Sequence, residues 1–554
     1  MKKDYSILIG GEAGQGSRKA GLIIAKVFND LGYRIFIYDD YQSLVRGGHS
    51  FSQIRASEDN VFSHRKKIDF LLALDDKTIK KHRNNLTSKG IIIYNSDKVQ
   101  LKEGIGIPIE TICRELKGIS LMANTALLAG FLKTIGIDWK VLEKILRREI
   151  DKEIVLNLKI ARKVYQETNE LIKIKRINRK PLPLLTGNEA VSLGAVRAGL
   201  NIYVSYPMTP ATGILNYLAK HKRDFNINVF QLENEISVIN AAIAGAYTGK
   251  RTMVGTSGGG FALMTEALSL AGQAEVPILI VESQRTGPAS GVPTYSGQSD
   301  LWFALGAGHG DFLRFVFAPS DANESFYWAG ELLNLSWKYQ TPSILLIDKQ
   351  ISESTFQFNE KLLNKLKCKK ALLWNKKGKY QRYKITKKGI SPLGFPGEKN
   401  IISKVNSYEH NEDGITVEDE NLVKKMQLKR LRKFQSMKNE IDKMEAVKIY
   451  GNKKSKSAII CWGSTVGPAR ETAEKLKIKL IQPIVIQPFP ENQLKRNLKG
   501  VEKLISIEAN SLGQLEKVLN CYGIKPDNRI LRYDSRPFLP EELTESLKNI
   551  FSSK

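Results

Sequence analysis

Residues 254–294 have the sequence VGTSGGGFALMTEALSLAGQAEVPILIVESQRTGPASGVPT, and this stretch decides the fold class. An apolar run ending at Gly255 predicts a strand, and the glycines that follow predict a turn opening a helix. The run PILIVE at residues 277–282 predicts the next strand. Residues 286–294 are too rich in Gly and Pro for a helix or strand interior, so they form an ordered loop or are disordered. The order of these elements indicates an α/β domain.

The same pattern extends on both sides of this stretch. At the N-terminus, strand 5–9 precedes a glycine turn and a helix from Ser17, which opens an earlier α/β domain. Further predicted strands in the three domains are 34–38, 70–73, 90–94, 201–205, 228–232, 251–255, 343–347, 480–486 and 503–507. The predicted fold is α/β with three α/β domains. The predicted segments are a first domain 1–168, a linker 169–183, a second domain 184–351, a charged connecting segment 352–455 and a third domain 456–554.

Two features stand out in the charged connecting segment. The sequence YQRYKIT at residues 380–386 is strand-like. Residues 420–444, ENLVKKMQLKRLRKFQSMKNEIDKM, predict one long charged helix. We interpret that helix as a solvated surface helix, because charged residues predominate along it.

The chain carries a large positive charge. It has 85 Lys and Arg against 57 Asp and Glu among 554 residues, a formal net charge of +28. Attraction to an acidic partner or to nucleic acid is one interpretation. The interpretation we prefer is a lysine-rich composition, because the basic residues are spread along the chain and no nucleic-acid-binding module accompanies them. The sequence contains no run of about 18 apolar residues, so it predicts no membrane span. No signal peptide is evident either. We therefore expect a cytoplasmic protein.

Cysteine usage argues against a metal site in this chain alone. The four cysteines, Cys113, Cys368, Cys461 and Cys521, are far apart in sequence and only six histidines accompany them. This spacing does not fit a structural zinc or an iron–sulfur cluster.

Three segments of the second domain place reactive side chains where predicted strands end. In SYPMTPAT at residues 205–212, two prolines stiffen a turn that holds Thr209. Its hydroxyl either points to a small ligand or caps the following helix. In QLENEIS, Glu233 and Glu235 precede a helix, where acids either serve a site or interact with the helix dipole. Arg285 follows strand 277–282 and could clamp a carboxylate or form a surface ion pair.

Taken together, these segments resemble the alpha subunits of 2-oxoacid:ferredoxin oxidoreductases. The matching pieces occur in family order and cover nearly the whole chain. In the second domain they are GNEA at 187–190, YPMTPA at 206–211, ENE at 233–235, TSGGGFALM at 256–264, QRTGPASGVPT at 284–294 and QSDL at 298–301. Downstream they are GISPLGFPG at 389–397, SYEHNEDG at 407–414, CWGSTVG at 461–467 and EANSLGQL at 508–515. At the N-terminus, GGEAGQG and YQSLVRGGHS resemble the family's gamma domain. Within YPMTPA, Met208 occupies the position where the family usually has Ile.

The resemblance implies a thiamine-diphosphate-dependent enzyme. The second domain would be the pyrimidine-binding domain, and the third would be transketolase C-terminal-like. Glu235 would hydrogen-bond N1′ of the aminopyrimidine and promote the imino tautomer, with Glu233 as the fallback. Thr209 and Arg285 would bind the substrate. Further residues assigned by the resemblance are Tyr206 and Pro207 for substrate, and Thr256, Ser257 and Gly258 for cofactor. The vicinity of coenzyme A would include Gly11, Gly14, Gly16, Arg46, Gly47 and Gly48.

The family's thiamine enzymes hold diphosphate and Mg²⁺ with a GDG segment, and this sequence contains none. The resemblance therefore implies a beta subunit that carries the Mg²⁺ site and an iron–sulfur cluster, in a heterodimer or a dimer of heterodimers. The implied reaction converts a 2-oxoacid, 2-oxoglutarate or a broad set, and coenzyme A to acyl-CoA and CO₂ while reducing ferredoxin. The alternatives are a thiamine-dependent lyase or transketolase-like subunit and a basic nucleic-acid-binding protein.

Overall fold

A computed structural model describes residues 3–44 and 47–552. The chain divides into two compact units. The first comprises residues 1–184, 354–358 and 539–545, and the second comprises residues 185–353, 359–538 and 546–554. No helix of the described residues is both long and apolar enough to cross a membrane. The predicted α/β class is confirmed, and the described residues form three sheets.

The first unit is built on one mixed sheet with helices packed against it. Its sheet has the strand order β6-β5-β4-β1-β3-β2, and β1 pairs parallel with β4 but antiparallel with β3. An apolar core lies between this sheet and the helices. The strands are β1 (Asp4–Ala13), β2 (Arg34–Tyr41), β3 (Gly47–Ser57), β4 (Ile68–Ala73), β5 (Leu86–Asn95) and β6 (Ile105–Ile107). The helices are α1 (Ser17–Asp30), α2 (Asp76–His82), α3 (Ile109–Glu115), α4 (Ala123–Thr134), α5 (Trp139–Glu149) and α6 (Ile154–Glu167).

The predicted linker, residues 169–183, contains no helix or strand but packs against the first unit. The Tyr33 hydroxyl donates to the Lys175 carbonyl at 3.0 Å, and the Ile177 amide donates to the Leu31 carbonyl at 2.7 Å. Ile174 is buried in the core of this unit. The segment is therefore held by side-chain and backbone contacts along its length.

The central sheet of the second unit positions the candidate site. Its order is β18-β12-β13-β11-β10-β8-β9, and β9, β8, β10, β11, β13 and β12 run parallel. The strands of this region are β7 (Leu184–Thr186), β8 (Ile202–Ser205), β9 (Asn228–Gln231), β10 (Thr252–Thr256), β11 (Ile278–Gln284), β12 (Phe315–Phe317) and β13 (Pro342–Asp348). The helices are α7 (Gly187–Arg197), α8 (Thr212–Lys220), α9 (Glu235–Tyr247), α10 (Gly258–Leu263), α11 (Thr265–Gln273), α12 (Leu301–Gly306), α13 (Ala322–Tyr339) and α14 (Lys349–Glu353).

The remaining elements complete both units. Strand β14 (Thr355–Gln357) pairs with β2 in the first unit, and helices α15 (Leu362–Lys365), α16 (Glu420–Leu431) and α17 (Lys433–Asp442) follow. The third sheet has the order β15-β17-β16-β19-β20. The strands of this part are β15 (Val447–Gly451), β16 (Ser457–Cys461), β17 (Lys479–Pro483), β18 (Val485–Gln487), β19 (Lys503–Glu508) and β20 (Asn528–Leu531). The helices are α18 (Val466–Leu476), α19 (Glu491–Leu498), α20 (Gln514–Cys521) and α21 (Pro540–Ser552).

Two predictions for the connecting segment are wrong. Residues 380–386 form no strand, because Arg382 and Tyr383 are buried as anchors of a turn, and Arg382 donates to the Glu275 carbonyl at 2.7 Å. The long charged helix is two helices, α16 and α17, and it is not simply solvated. Lys429 and Lys433 are buried, and both ammonium groups form ion pairs with the buried Glu275 carboxylate.

This buried charge cluster stabilises the connecting segment against the central sheet's helices. Burial alone would raise the pKa of Glu275, but Lys429, Lys433 and Arg382 hold that pKa below its usual range. Burial also lowers the pKa of Lys429 to about 7. A carboxylate between two buried ammonium groups is expensive to remove, because each ammonium would remain desolvated without a counter-charge.

We expect Glu275→Gln to destabilise the chain by about 3–5 kcal/mol, measured by denaturant unfolding. The matched control is Glu502→Gln, which removes a solvent-exposed ion pair with Lys456 and should leave the unfolding midpoint unchanged. Because the pKa of Glu275 is lowered in the folded state, its contribution is present at neutral pH and is lost as the pH falls through the folded-state pKa. Equal stability of Glu275→Gln and the unchanged chain would contradict this account.

Candidate active site

The turn after β8 carries Thr209 and is held by two side chains from other elements. Asn188, near the start of α7, donates from Nδ2 to the Pro210 carbonyl at 2.9 Å. Arg285, just after β11, donates from Nη1 to the Thr209 carbonyl at 2.9 Å. The carbonyls of Thr209 and Pro210 are therefore each fixed by a side-chain donor from another element. Thr209 itself is half-buried.

Glu235 is the first residue of α9 and is buried, with 4% of its surface exposed. The preceding residue, Asn234, caps the helix by accepting a hydrogen bond from the Ser237 amide. Carboxylate oxygen Oε1 of Glu235 has no hydrogen-bond partner among the described residues. Glu233, in contrast, is exposed and accepts a hydrogen bond from the Ser237 hydroxyl, which lowers its pKa. Of the two acids, only Glu235 offers a buried, unpaired oxygen.

The glycine turn between β10 and α10 lies directly against Glu235. A Cβ atom on Gly260 would come 2.2 Å from Thr256 Oγ1 and 2.6 Å from Glu235 Oε1, so only glycine fits there. Thr256 and Ser257 are fully buried, and Ser257 Oγ has no hydrogen-bond partner among the described residues. The turn thus places two hydroxyl-bearing residues beside an unpaired carboxylate oxygen.

Arg285 leads into residues 286–294, which form an ordered loop. The alternative prediction of disorder in this segment is wrong. The Val292 amide donates to the Thr286 carbonyl at 2.9 Å, and the Thr286 hydroxyl donates to the Ser296 carbonyl at 3.0 Å. Both ends of the loop are fixed while residues 288–292 are exposed. Burial lowers the pKa of the Arg285 guanidinium.

A group of buried acids lies beside the glycine turn. Glu282 is paired in register with Thr256 across β10 and β11 and is fully buried. Burial, together with the nearby Asp300 and Asp348, raises the pKa of Glu282 well above its usual value. Burial also raises the pKa of Asp300 to about 6. A protonated Glu282 beside the turn is the form that this environment favours.

Comparisons with known proteins fit this geometry. The family model described as "Pyruvate flavodoxin/ferredoxin oxidoreductase, thiamine diP-bdg" matches residues 193–428. "Pyruvate ferredoxin/flavodoxin oxidoreductase" matches residues 6–167, and "Pyruvate:ferredoxin oxidoreductase core domain II" matches residues 455–533. A 2-oxoacid:ferredoxin oxidoreductase subunit alpha from Sulfolobus sp is 33% identical, with 98% of this chain and 96% of the relative covered. The chain belongs to the alpha-subunit family of 2-oxoacid:ferredoxin oxidoreductases.

Further relatives have the same architecture. The subunit alpha of 2-oxoacid:ferredoxin oxidoreductase 1 from Sulfurisphaera tokodaii is also 33% identical, with 98% of this chain and 97% of the relative covered. A solved structure of 2-oxoglutarate:ferredoxin oxidoreductase from Magnetococcus marinus, with 2-oxoglutarate, coenzyme A and succinyl-CoA bound, is 28% identical. It superposes with a TM-score of 0.89 over 99% of this chain and 100% of that chain. The resemblance inferred from the motifs is confirmed, and the two alternative protein classes gain no support.

In this alpha subunit, the predicted residues of the second domain occur at one edge of one sheet. Thr209, Glu235 and Arg285 follow β8, β9 and β11, whereas Thr256 is the last residue of β10. Arg285 contacts the Thr209 backbone. The glycines predicted near coenzyme A lie in the first unit, where Gly47 pairs with Ala13 in the β1–β3 register. The residues of this group are Gly11, Gly14, Gly16, Gly47 and Gly48, whereas Arg46 lies outside the described residues.

Two functional positions were missed by sequence reasoning although their motifs were recognised. Asn188, in GNEA, positions the Thr209 turn. Gln298, in QSDL, joins the central sheet to the third sheet, because its side chain donates to the Trp462 carbonyl at 2.8 Å and accepts from the Ala509 amide at 3.0 Å. The Gln298 carbonyl also accepts from Asn510 Nδ2 at 3.1 Å. The motifs QSDL, CWGS and EANS stand out in the sequence, but no sequence signal pairs them.

We expect Asn188→Ala to lower kcat/KM for the 2-oxoacid by about tenfold in the assembled enzyme, because the Pro210 carbonyl loses its donor and the Thr209 turn loosens. Steady-state kinetics would measure this. Ser192→Ala is the matched control, since it removes a buried hydrogen bond within α7, to the Asn188 carbonyl, without touching the turn. If both variants lose activity equally, Asn188 has no positioning role.

Proposed function

We propose that this chain is the subunit that activates thiamine diphosphate in a 2-oxoacid:ferredoxin oxidoreductase. The enzyme would oxidatively decarboxylate a 2-oxoacid with coenzyme A to give acyl-CoA, CO₂ and reduced ferredoxin. The observation that carries the proposal is the buried Glu235 carboxylate at the carboxyl ends of parallel strands, whose Oε1 has no hydrogen-bond partner within the part of the chain that the structure describes. Ligands bind α/β sheets at that edge.

The residues around Glu235 fit the aminopyrimidine of thiamine diphosphate. A buried carboxyl oxygen without a partner costs free energy unless a ligand donor fills it. We assign Glu235 to the pyrimidine N1′, with Thr256, Ser257 and Gly258 bordering the ring. Thiamine diphosphate, when bound, supplies the electron sink for decarboxylation. The task of Glu235 is to hold a proton at N1′, and the task of the glycine turn is to exclude water from that contact.

Arg285 and Thr209 are our proposed substrate residues. One guanidinium nitrogen of Arg285 already binds the Thr209 carbonyl, which fixes the group and leaves its other N–H donors for a substrate carboxylate. The Thr209 hydroxyl would hydrogen-bond the 2-oxo or carboxylate oxygen. Tyr206 and Pro207 precede it at the mouth of the site. We propose 2-oxoglutarate or a broad set of 2-oxoacids as substrate, because the Magnetococcus marinus structure contains 2-oxoglutarate.

A partner chain is part of the proposal. Four large apolar side chains at the carboxyl-end edge of the central sheet are exposed, with 38 to 53% of their surface accessible: Tyr206, Phe230, Ile236 and Leu263. Exposed apolar groups around a site are typical of a surface that another chain covers. We propose a beta subunit that supplies the diphosphate and Mg²⁺ site and an iron–sulfur cluster, in a heterodimer or a dimer of heterodimers. Reduced ferredoxin would leave from that assembly.

We propose that the metal and cluster sites lie on the beta subunit. Among the described residues, no group of three or more His, Cys, Asp or Glu could hold a metal ion. The four cysteines are free thiols, which supports a reducing, cytoplasmic location. We place coenzyme A near the glycine turn of the first unit, where the turn from β1 to α1 leaves backbone N–H groups at a helix N-terminus.

We expect Glu235→Gln to lower turnover at least about 100-fold, because the amide cannot exchange a proton with N1′. The assay is coenzyme-A-dependent viologen reduction by the complex co-purified with its native partner. Size-exclusion chromatography should show unchanged assembly. Glu233→Gln is the matched control and should keep near-normal rates, since Glu233 is exposed. Near-normal turnover of Glu235→Gln would refute the assignment.

We expect Arg285→Ala to raise KM for the 2-oxoacid about 10- to 100-fold, because a charge-assisted hydrogen bond to the substrate carboxylate is lost. KM for coenzyme A should stay unchanged, which serves as the internal control. Steady-state kinetics with 2-oxoglutarate and pyruvate would test both points and rank the substrates. An unchanged KM for every 2-oxoacid would remove Arg285 from the substrate site.

A further inference from the structure

An open groove of about 1020 Å³ lies in the second unit, away from the strand ends that carry Glu235 and Arg285. Its walls are the end of α13, one face of α17, and the segments 369–372 and 386–390. We call it the lysine groove, because six of its fourteen lining residues are lysines and one is a glutamate. The lysines are Lys338, Lys369, Lys370, Lys387, Lys388 and Lys443.

Within the described residues, only two of the six lysines of the lysine groove have an ion-pair partner. Lys338 pairs with Glu440 at 2.9 Å, and Lys369 pairs with Glu331 at 2.6 Å. The other four lysines form no ion pair with any residue in the described ranges. Lysine and arginine make up 85 of 554 residues in the whole chain, so the groove is far richer in positive charge than the general composition explains.

Apolar groups lie between these lysines. Tyr339 and Ile390 are buried in the wall, and Leu372 is 51% exposed. Leu372 therefore offers exposed apolar surface among the ammonium groups. The combination of apolar surface and surrounding ammonium groups matches a ligand with an apolar strip and acidic flanks.

The arrangement of the donors bears on the ligand. Every cationic group in the lining is a lysine ammonium, which binds carboxylates and phosphates alike as a point charge, and no arginine lines the groove. Helix α13 reaches it with its C-terminal residues, and α17 contributes the side face formed by Ser436, Asn439, Glu440 and Lys443. Separate ammonium groups on four segments suit carboxylates spaced along a peptide better than one compact polyanion.

We propose that the lysine groove docks an acidic peptide segment, with interspersed apolar side chains, from a protein partner. The proposal goes beyond the catalytic function and does not depend on it. Lys338 and Lys443 also complement the C-terminal ends of their helices, whereas Lys370, Lys387 and Lys388 have no such role. These three exposed lysines are therefore the ones that recognise the partner.

The test measures binding of a fluorescein-labelled peptide of alternating glutamate and leucine to the full chain, assembled with its native partner, by fluorescence anisotropy. The groove variant combines Lys370→Glu, Lys387→Glu and Lys388→Glu. The matched control combines Lys453→Glu, Lys454→Glu and Lys525→Glu. These three lysines are exposed, lie outside the groove and form no ion pair within the described ranges. Their substitution changes the net charge by the same amount as in the groove variant.

We expect the groove variant to bind the peptide at least about tenfold more weakly than the unchanged chain, and the control variant less than about twofold more weakly. Added salt should weaken binding of the peptide to the unchanged chain. Replacing the three groove lysines with glutamine should give an intermediate loss. Equal weakening by both variants would show non-specific charge attraction and overturn the proposal. Equally tight binding of a glutamine–leucine peptide would also overturn the proposal. The same holds if tripolyphosphate binds more tightly than the peptide and its binding depends on the groove. Turnover should be unchanged in both variants, which separates this test from that of Glu235.

Discussion

Parallel strands of the central sheet all end at one edge, and the chemistry of this protein depends on that constraint. Strands β8, β9, β10 and β11 are neighbours in the sheet, and each has a different polar group at or shortly after its carboxyl end. Thr209, Glu235, Thr256 and Arg285 are far apart in sequence, yet they occupy adjacent positions because parallel pairing aligns their strands. The close approach of the glycine turn to Glu235 then removes the space that water would fill.

The site combines two buried polar atoms that lack hydrogen-bond partners within the described residues with a backbone turn that side-chain hydrogen bonds hold in place. Glu235 Oε1 and Ser257 Oγ are buried without partners in the described residues, and each such atom costs about 1–3 kcal/mol. The Thr209 turn, after the neighbouring strand β8, is held in place by Asn188 and Arg285. Stability gained elsewhere, as in the apolar cores, lets the protein keep free hydrogen-bonding capacity for a ligand.

Some elements were predictable and others were not, for identifiable reasons. The apolar strands of the central sheet follow from their sequence, because buried parallel strands are continuous apolar runs. Strand β3 was missed because buried polar residues, including Ser52 and Gln53, replace the expected alternation. Residues 380–386 have strand-like composition, but Arg382 and Tyr383 are anchors for a turn. The helix prediction at 420–444 missed a break and a buried counter-charge at Glu275, 145 or more residues away.

The sequence by itself determined the α/β class and the family, and it proposed a small set of candidate site residues, because motif order and local periodicity are properties of the chain. It left open whether Glu233 or Glu235 is the buried acid. Only the tertiary structure decided that one is exposed and the other lies against Gly260. It also revealed the roles of Asn188 and Gln298, and it brought six lysines into one groove. Burial, pairing and charge clustering arise from contacts between distant segments, and such contacts are not encoded in any local stretch.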